Sequence, residues 1–177
     1  MSYKNHQISI KKTIDFLNQH GVKDNDSQSV ALLPASTSKE VTKNSKTGAI
    51  ISTTWVTTQW IEIESNDVFN IDQTYRQMSE LLGKGVLVRP SRPEFTYTKL
   101  AAKRVDMLAK ATKDAHTRAE AIVYQTGSEL GSVRKVNTGV FQITVPNSTR
   151  VSSWGSYDTS TIKKDITAVM GVTFEVN

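Results

Sequence analysis

Residues whose types and spacing could support catalysis are sparse in this sequence. The histidines are His6, His20 and His116, and the only carboxylate at helical metal-ligand spacing from one of them is Glu120, four residues after His116. One such pair on a charged helix is typical of a surface contact, because a metal site needs further ligands. The G-x-S-x-G pattern of serine hydrolases is absent, and the lack of cysteine excludes disulfides and thiolate chemistry. We expect no catalytic residue, no cofactor and no metal ion, and therefore no enzyme; the alternative is a hydrolase whose site is not visible in the linear sequence.

Two further patterns resemble functional motifs only in part. The glycine-lysine-glycine segment 83–85 lacks the rest of a phosphate-binding loop, which needs a glycine five residues before its Gly-Lys pair and a Ser or Thr after the lysine. Met78 and Gly85 occupy those two places. Glu62 and Glu64 are a close carboxylate pair, but strand alternation directs both to solvent. Neither pattern supports an assignment of acid–base or phosphate chemistry.

Basic residues concentrate in the middle of the chain. Residues 84–135 hold eleven Lys/Arg and five Asp/Glu, whereas the whole chain of 177 residues carries a net charge of +5. If the two strands that carry them are neighbours, Arg89, Arg92, Arg134 and Lys135 form an anion-binding patch. The alternative is a set of unpaired surface arginines that protect an edge strand from association. Acidic residues interleave with the basic ones, which favours a solvated face.

Nucleic-acid binding is not expected from the aromatic residues. Trp55 and Trp60 lie in a stretch that is nearly free of basic residues, whereas single-strand binding needs stacking and positive charge together. No apolar run approaches the ~18 residues of a membrane span. The first residues also lack a hydrophobic signal region.

Periodicity predicts an α+β protein with the element order α-β-β-α-β-α-β-β and two to three helices packed on a largely antiparallel mixed sheet. We expect one domain over residues 1–177. The predicted helices are 7–20, 68–82 and 99–126; the predicted strands are 29–33, 49–65, 86–88 continuing at 95–97, 130–145 with a break at 137–138, and 162–176; the polar segments 35–48 and 146–160 are predicted loops.

The long third helix gives the strongest signal. Small and apolar residues recur along it at spacings of three and four, which indicates one narrow stripe that packs on the centre of the sheet. Alanine dominates this stripe, so the packing partner can approach closely. The stripe consists of Ala101, Val105, Leu108, Thr112, Ala115, Ala119 and Ile122.

From this helix onward the sequence resembles the SIMPL-domain proteins. Residues 111–136, ATKDAHTRAEAIVYQTGSELGSVRKV, are similar to the family signature, an alanine-rich helix with a D-A-x-x-R-A-E core that leads into G-x-x-L-G-x-V. The likeness extends over nearly the whole chain and is greatest to the bacterial envelope-associated branch. It includes residues 29–34, 58–68, 81–86, 139–147 and 162–176.

The resemblance implies a non-enzymatic protein that acts through homo-oligomerisation or partner binding, in some members with a link to oxidative stress. It implies a periplasmic location, or a membrane-anchored form that faces the periplasm. Similar proteins begin with a hydrophobic anchor and one more strand, so we expect this chain to be a shortened form that is soluble as given. An unpaired sheet edge left by the missing strand would be covered by a neighbouring subunit. The family has no established catalytic residues to transfer. The alternative function is an anionic-ligand or nucleic-acid binding module that uses the basic region 84–135.

Overall fold

The fold is α+β, as predicted. The computed structural model describes residues 2–177, with side chains from residue 4 onward. Its contacts divide the chain into two compact units, the first ending at Pro93 and the second spanning Glu94–Asn177. None of the helices in the described range is long and apolar enough to cross a membrane. The elements are α1 (Ser2–Gln19), β1 (Gln28–Leu32), β2 (Ser36–Lys43), β3 (Ile50–Thr58), β4 (Ile61–Ser65), α2 (Val68–Gln77), α3 (Glu80–Gly83), α4 (Leu100–Thr126), β5 (Leu130–Thr144), β6 (Ser156–Tyr157) and β7 (Asp165–Val176).

The first unit is built around one small hydrophobic core. The antiparallel pair β1–β4 directs Ile61 and Ile63 toward this core and leaves Glu62 and Glu64 exposed, as the strand alternation predicts. Helix α1 ends where Gly21 adopts a positive φ of 76°, which lets Val22 turn back into the core. The fully buried members of the core are Phe16, Leu17, Val22, Leu81 and Val86.

The predicted strand 49–65 is in fact two strands with different partners. β3 pairs with β2 in an antiparallel hairpin, whereas β4 pairs with β1, and residues 59–60 separate them. The prediction of a loop over residues 35–48 was also wrong, because residues 36–43 form β2. Lys39, Glu40 and Lys43 make β2 polar, and since both of its faces are exposed it shows no hydrophobic alternation.

The second unit is a three-stranded sheet with the order β6-β5-β7, covered on one face by α4. β5 runs antiparallel to β7 and parallel to the short β6. The predicted break at 137–138 is a bulge one or two residues later, since the register shifts between Thr138 and Phe141 while the strand continues. Gly139 permits this shift, because a Cβ there would lie 3.0 Å from the carbonyl oxygen of Val169.

Helix α4 packs mainly on β7, which is an edge strand, rather than on the centre of the sheet. The middle of the predicted stripe is confirmed for Leu108, Ala115 and Ala119, which are partly buried, but not for Thr112, which is exposed. Its ends are not, because Val105 is 71% exposed and Ile122 is 66% exposed. A stripe with a period of 3.5 residues drifts by ~20° per heptad around a straight helix, so both ends rotate away from the strand.

Segment 84–99 forms no strand, contrary to the prediction for 86–88 and 95–97. The side chain of Val86 lies in the core of the first unit, and its backbone N–H donates to the carbonyl of Leu81. Phe95 is buried in the second unit, where its N–H donates to the carbonyl of Thr159. Prolines at 90 and 93 remove the donors that a continuous ladder needs. The strands therefore form three small sheets rather than one.

Candidate functional site

The four predicted anion-binding residues are all exposed, and they lie in two different units. Arg89 and Arg92 follow the core of the first unit in a segment without strand structure, so the neighbouring-strand condition of the prediction is not met. Arg134 and Lys135 lie on β5 in the second unit, where Arg134 forms an ion pair with Glu175 of β7. A shared patch of these four residues stays a prediction.

The ionisable group with the largest perturbation, Asp158, stabilises a turn. Hydrogen bonds from Ser160, Thr161 and Lys164 hold the pKa of the Asp158 carboxyl far below its usual range. The Nζ atom of Lys164 lies 3.1 Å from this carboxylate, and its side chain is only 7% exposed. Because these donors all come from the same turn, the carboxylate is satisfied locally and the arrangement is structural.

The remaining perturbed groups are surface ion pairs on helices. Arg76 has a raised pKa because it donates to Asp72 one turn earlier, and Asp106 has a lowered pKa because Lys110 donates to it. Within residues 2–177 no group of three or more His, Asp or Glu side chains could hold a metal ion. A groove of about 300 Å³ in the first unit contains no pair of groups suited to proton transfer; its lining is Tyr75, Arg76, Met78, Ser79, Leu82, Val88 and Pro90.

The most unusual feature of the first unit is the hairpin of residues 36–58, which we call the ribbon. All eight residues of β2 are exposed, and so are all residues of β3 except Val56 and Thr57. β3 contacts helix α1, which supports the hairpin on one side, since an isolated two-stranded hairpin is marginally stable in water. Most of the ribbon is therefore solvent-exposed surface.

One face of the ribbon carries exposed apolar side chains beside polar ones. Trp55 is opposite Lys39 and Val41 is opposite Thr53, so alternation places these four side chains together. Trp55 is 57% exposed and Val41 is 39% exposed. Ile50 and Ile51, at the end of β3 near the turn, are each 64% exposed. The ribbon therefore carries a group of exposed apolar side chains.

The ribbon is held at its base by two side chains. The backbone N–H of Leu33 donates to the carbonyl oxygen of Trp60 at 2.9 Å, just below the two strands. Gln59 donates from Nε2 to the carbonyl of Leu33 at 2.7 Å, and its Oε1 accepts from Nε2 of His6 on α1 at 2.9 Å. These contacts fix the base of the ribbon, and β3 also contacts α1.

The second unit exposes a smaller apolar site on its loop 145–155. Trp154 is 94% exposed and Val151 is 76% exposed. The loop is ordered, because buried Gln142 bonds to the backbone of Ser152 and the N–H of Asn147 donates to Asp165. Two side chains are a much smaller surface than the ribbon, so the ribbon is the better candidate functional site.

Sequence reasoning missed the ribbon although two signals for it were present. Residues 50–58 have the β-branched and aromatic composition of a strand, and segment 44–48 has the composition of a turn. Asn44 Oδ1 accepts from the N–H groups of Lys46 and Thr47, and Gly48 has a positive φ of 70°. A predicted strand that is directly preceded by such a turn indicates a hairpin, even where the strand on the other side of the turn is polar.

Comparison with known proteins identifies a family but no activity. A family model described as SIMPL, protein of unknown function (DUF541), matches residues 2–174 and so covers both units. Neither a curated protein nor a solved structure matches the chain. The family match confirms the resemblance noted in the sequence.

Proposed function

We propose that this chain, which belongs to the SIMPL (DUF541) family, acts by self-association rather than by catalysis. The observation that carries the proposal is the ribbon, in which all residues of β2 are exposed and β3, although it contacts α1, is exposed except at Val56 and Thr57. Association with a second copy would bury the exposed side chains of Val41 and Trp55.

A non-catalytic role is supported by how the ionisable groups are used. Asp158 is satisfied within its own turn, and Arg76 and Asp106 are paired along helices. Catalytic groups with shifted pKa values normally face a cleft, where a substrate can reach them. Arg76 lines the groove of the first unit, but it is held in an exposed ion pair with Asp72.

We further propose that the protein works in the bacterial cell envelope, with a role under oxidative stress. The support is the resemblance of residues 111–136 and of the flanking segments to the envelope-associated branch of the family. The lack of cysteine is compatible with an oxidising compartment. Fractionation of cells that carry the native gene should recover the protein with periplasmic or membrane markers, and recovery with cytosolic markers would contradict this location. Deletion of the gene should increase sensitivity to hydrogen peroxide, and unchanged sensitivity would contradict the stress role.

Self-association can be tested by removing the ribbon alone. Because Leu33 and Trp60 are joined by a backbone hydrogen bond, residues 36–58 can be replaced by a Gly-Ser-Gly turn without breaking the β1–β4 pair. We expect the unmodified chain to form a defined oligomer between about 1 and 100 μM, the range of moderate protein affinities. The ribbon-deleted variant should stay monomeric and keep its helical circular dichroism. A monomeric unmodified chain in sedimentation velocity at the highest concentration would overturn the proposal.

A further inference from the structure

We infer that loop 145–155 of the second unit docks on a phospholipid bilayer with anionic headgroups, with Trp154 in the membrane interface and Arg150 at the headgroups. The side chain of Trp154 is 94% exposed, and that of Val151 on the same loop is 76% exposed. Tryptophan is enriched at membrane–water interfaces, because its ring is apolar and its N–H still finds a polar partner there. This surface is separate from the ribbon, and the inference does not depend on self-association.

The backbone that carries Trp154 is fixed before any partner binds. The N–H of Gly155 donates to the carbonyl of Ser152 at 3.2 Å, and the N–H of Trp154 donates to Ser152 Oγ at 3.3 Å. Gly155 has a positive φ of 87°, and a Cβ there would lie 3.0 Å from the carbonyl oxygen of Phe141, so this turn packs closely on β5. Because the loop is already ordered, docking of the indole loses little conformational entropy.

The size of the exposed apolar surface favours a bilayer over a protein partner. A tryptophan side chain buries at most about 250 Å². Even with Val151 added, this area is well below the roughly 800 Å² that each partner contributes to a stable protein interface. A fluid bilayer needs no such area, since binding increases with the apolar surface inserted and with attraction to anionic lipids. We therefore choose a lipid surface as the occupant rather than a second copy.

The charge of loop 145–155 favours anionic headgroups. Arg150 is the only charged residue of the loop, and its exposed side chain forms no ion pair within the part of the chain that the structure describes. The nearest acidic residues in the sequence are Asp158, which is paired with Lys164, and Asp165, which accepts from a backbone N–H at the start of the loop. The loop itself thus brings one free cation and no carboxylate to the bilayer, which an anionic surface attracts.

Co-sedimentation of the unmodified chain with vesicles tests the inference. We expect binding to vesicles of phosphatidylcholine and phosphatidylglycerol in a two-to-one ratio, and much weaker binding to phosphatidylcholine alone. Trp154→Ser should weaken binding about 10-fold or more, because it removes the apolar side chain that enters the interface. Tyr124→Ser is the matched control, since Tyr124 is 80% exposed on α4 of the same unit and its loss should leave binding unchanged.

The role of Arg150 has its own pair of variants. Arg150→Gln should weaken binding to the anionic vesicles about 5-fold, the contribution of one basic residue close to an anionic surface. Lys113→Gln removes the same charge from an exposed position on α4, and it should change binding by less than about 2-fold. Circular dichroism of all four variants shows whether each remains folded.

The fluorescence of Trp154 identifies what covers it. The chain has three tryptophans, so Trp55→Phe combined with Trp60→Phe leaves Trp154 as the only one. We expect its emission to shift to shorter wavelength when the anionic vesicles are added. Its emission should not change with protein concentration in the absence of lipid.

Four results would overturn the inference. The first is that the unmodified chain binds neither kind of vesicle, and the second is that Trp154→Ser binds as well as the unmodified chain. Equal binding to both kinds of vesicle would be the third, because Arg150 would then recognise no anionic headgroup. The fourth is an emission shift of Trp154 that appears with rising protein concentration alone, which would show that a second copy covers the loop.

Discussion

Gln142 and Ser152 are joined by two hydrogen bonds that close the loop between β5 and β6. Gln142 Nε2 donates to the Ser152 carbonyl at 2.7 Å, and Gln142 Oε1 accepts from the Ser152 N–H at 3.3 Å. Gln142 is 2% exposed, so a polar side chain within the sheet replaces water for both backbone groups. One side chain thus orders the loop that exposes Trp154.

Removing this side-chain amide should destabilise the second unit. Gln142→Leu keeps the volume but leaves the N–H and the carbonyl of Ser152 without their partner, which costs about 1–3 kcal/mol of unfolding free energy. Urea denaturation measures the loss. Gln125→Leu is the matched control, because Gln125 is exposed on α4 and its replacement should change the free energy by less than about 0.5 kcal/mol. Equal effects of the two substitutions would contradict the structural role of Gln142.

Gly131 is required where β5 and β7 approach closely. A Cβ at this position would lie 2.7 Å from the Cβ of Glu175, so Gly131→Ala forces the strands apart and should cost about 1–3 kcal/mol. Gly83→Ala is the control: nothing lies within 4 Å of a Cβ there, and alanine in helix α3 should stabilise by about 0.5–1 kcal/mol. Thermal unfolding of both variants should therefore shift in opposite directions. A neutral Gly131→Ala would show that the strands adapt without cost.

The stability of the turn at Asp158 should depend on acid pH. Hydrogen bonds from Ser160 and Thr161 lower the pKa of Asp158 in the folded state below its value in the unfolded chain, which is about 3.9. The ionised carboxylate therefore stabilises the fold above about pH 4, and this contribution is lost as the pH falls below that value. Asp158→Asn should lower the urea midpoint at pH 7 and have a smaller effect at pH 3.

Asp106→Asn is the control for this pH dependence. Lys110 lowers the pKa of Asp106 in the same direction, but the pair is exposed to solvent and contributes little to stability. The urea midpoint of Asp106→Asn should follow that of the unmodified chain at both pH values. An Asp158→Asn variant that loses the same stability at pH 3 and pH 7 would exclude the linkage.

The side of α4 that packs on β7 can be tested by adding volume. Ala115 is partly buried, so Ala115→Leu should overpack the contact and cost about 1–3 kcal/mol. Val105 is 71% exposed, so Val105→Leu should change stability by less than about 0.5 kcal/mol. Urea denaturation compares the two. A reversed order would mean that the predicted stripe packs along its whole length.

The fold class and the longest elements could be predicted because their signals are local. α4 has a helical repeat over 27 residues and ends at Gly127, which adopts a positive φ of 72°. β7 alternates between exposed and partly buried residues along nearly its whole length, as a strand covered on one face should. Such signals depend on the residues of one segment, so a single sequence is enough to interpret them.

The division into three sheets could not be predicted, because it depends on partners that are distant in sequence. Residues 50–65 have one continuous strand composition, yet Thr58 pairs with Ser36 while Ile61 pairs with Leu32. The polar sequence of β2 also lacks alternation, since a strand without a buried face has no need of it. The candidate site was missed for the same reason: exposure of both faces is a property of the fold rather than of the segment.

The hydrogen bond between Leu33 and Trp60 closes the base of the ribbon. The ribbon can therefore vary in length without a change in the packing of the core of the first unit. Each residue added to both strands would extend the ribbon by about 3.3 Å and leave the core of the first unit unchanged. One added pair at the base reverses which way Trp55 faces, and two added pairs restore it. The number of residue pairs thus sets how far the turn extends from the core, and only changes of two pairs keep Trp55 on the same face of the ribbon.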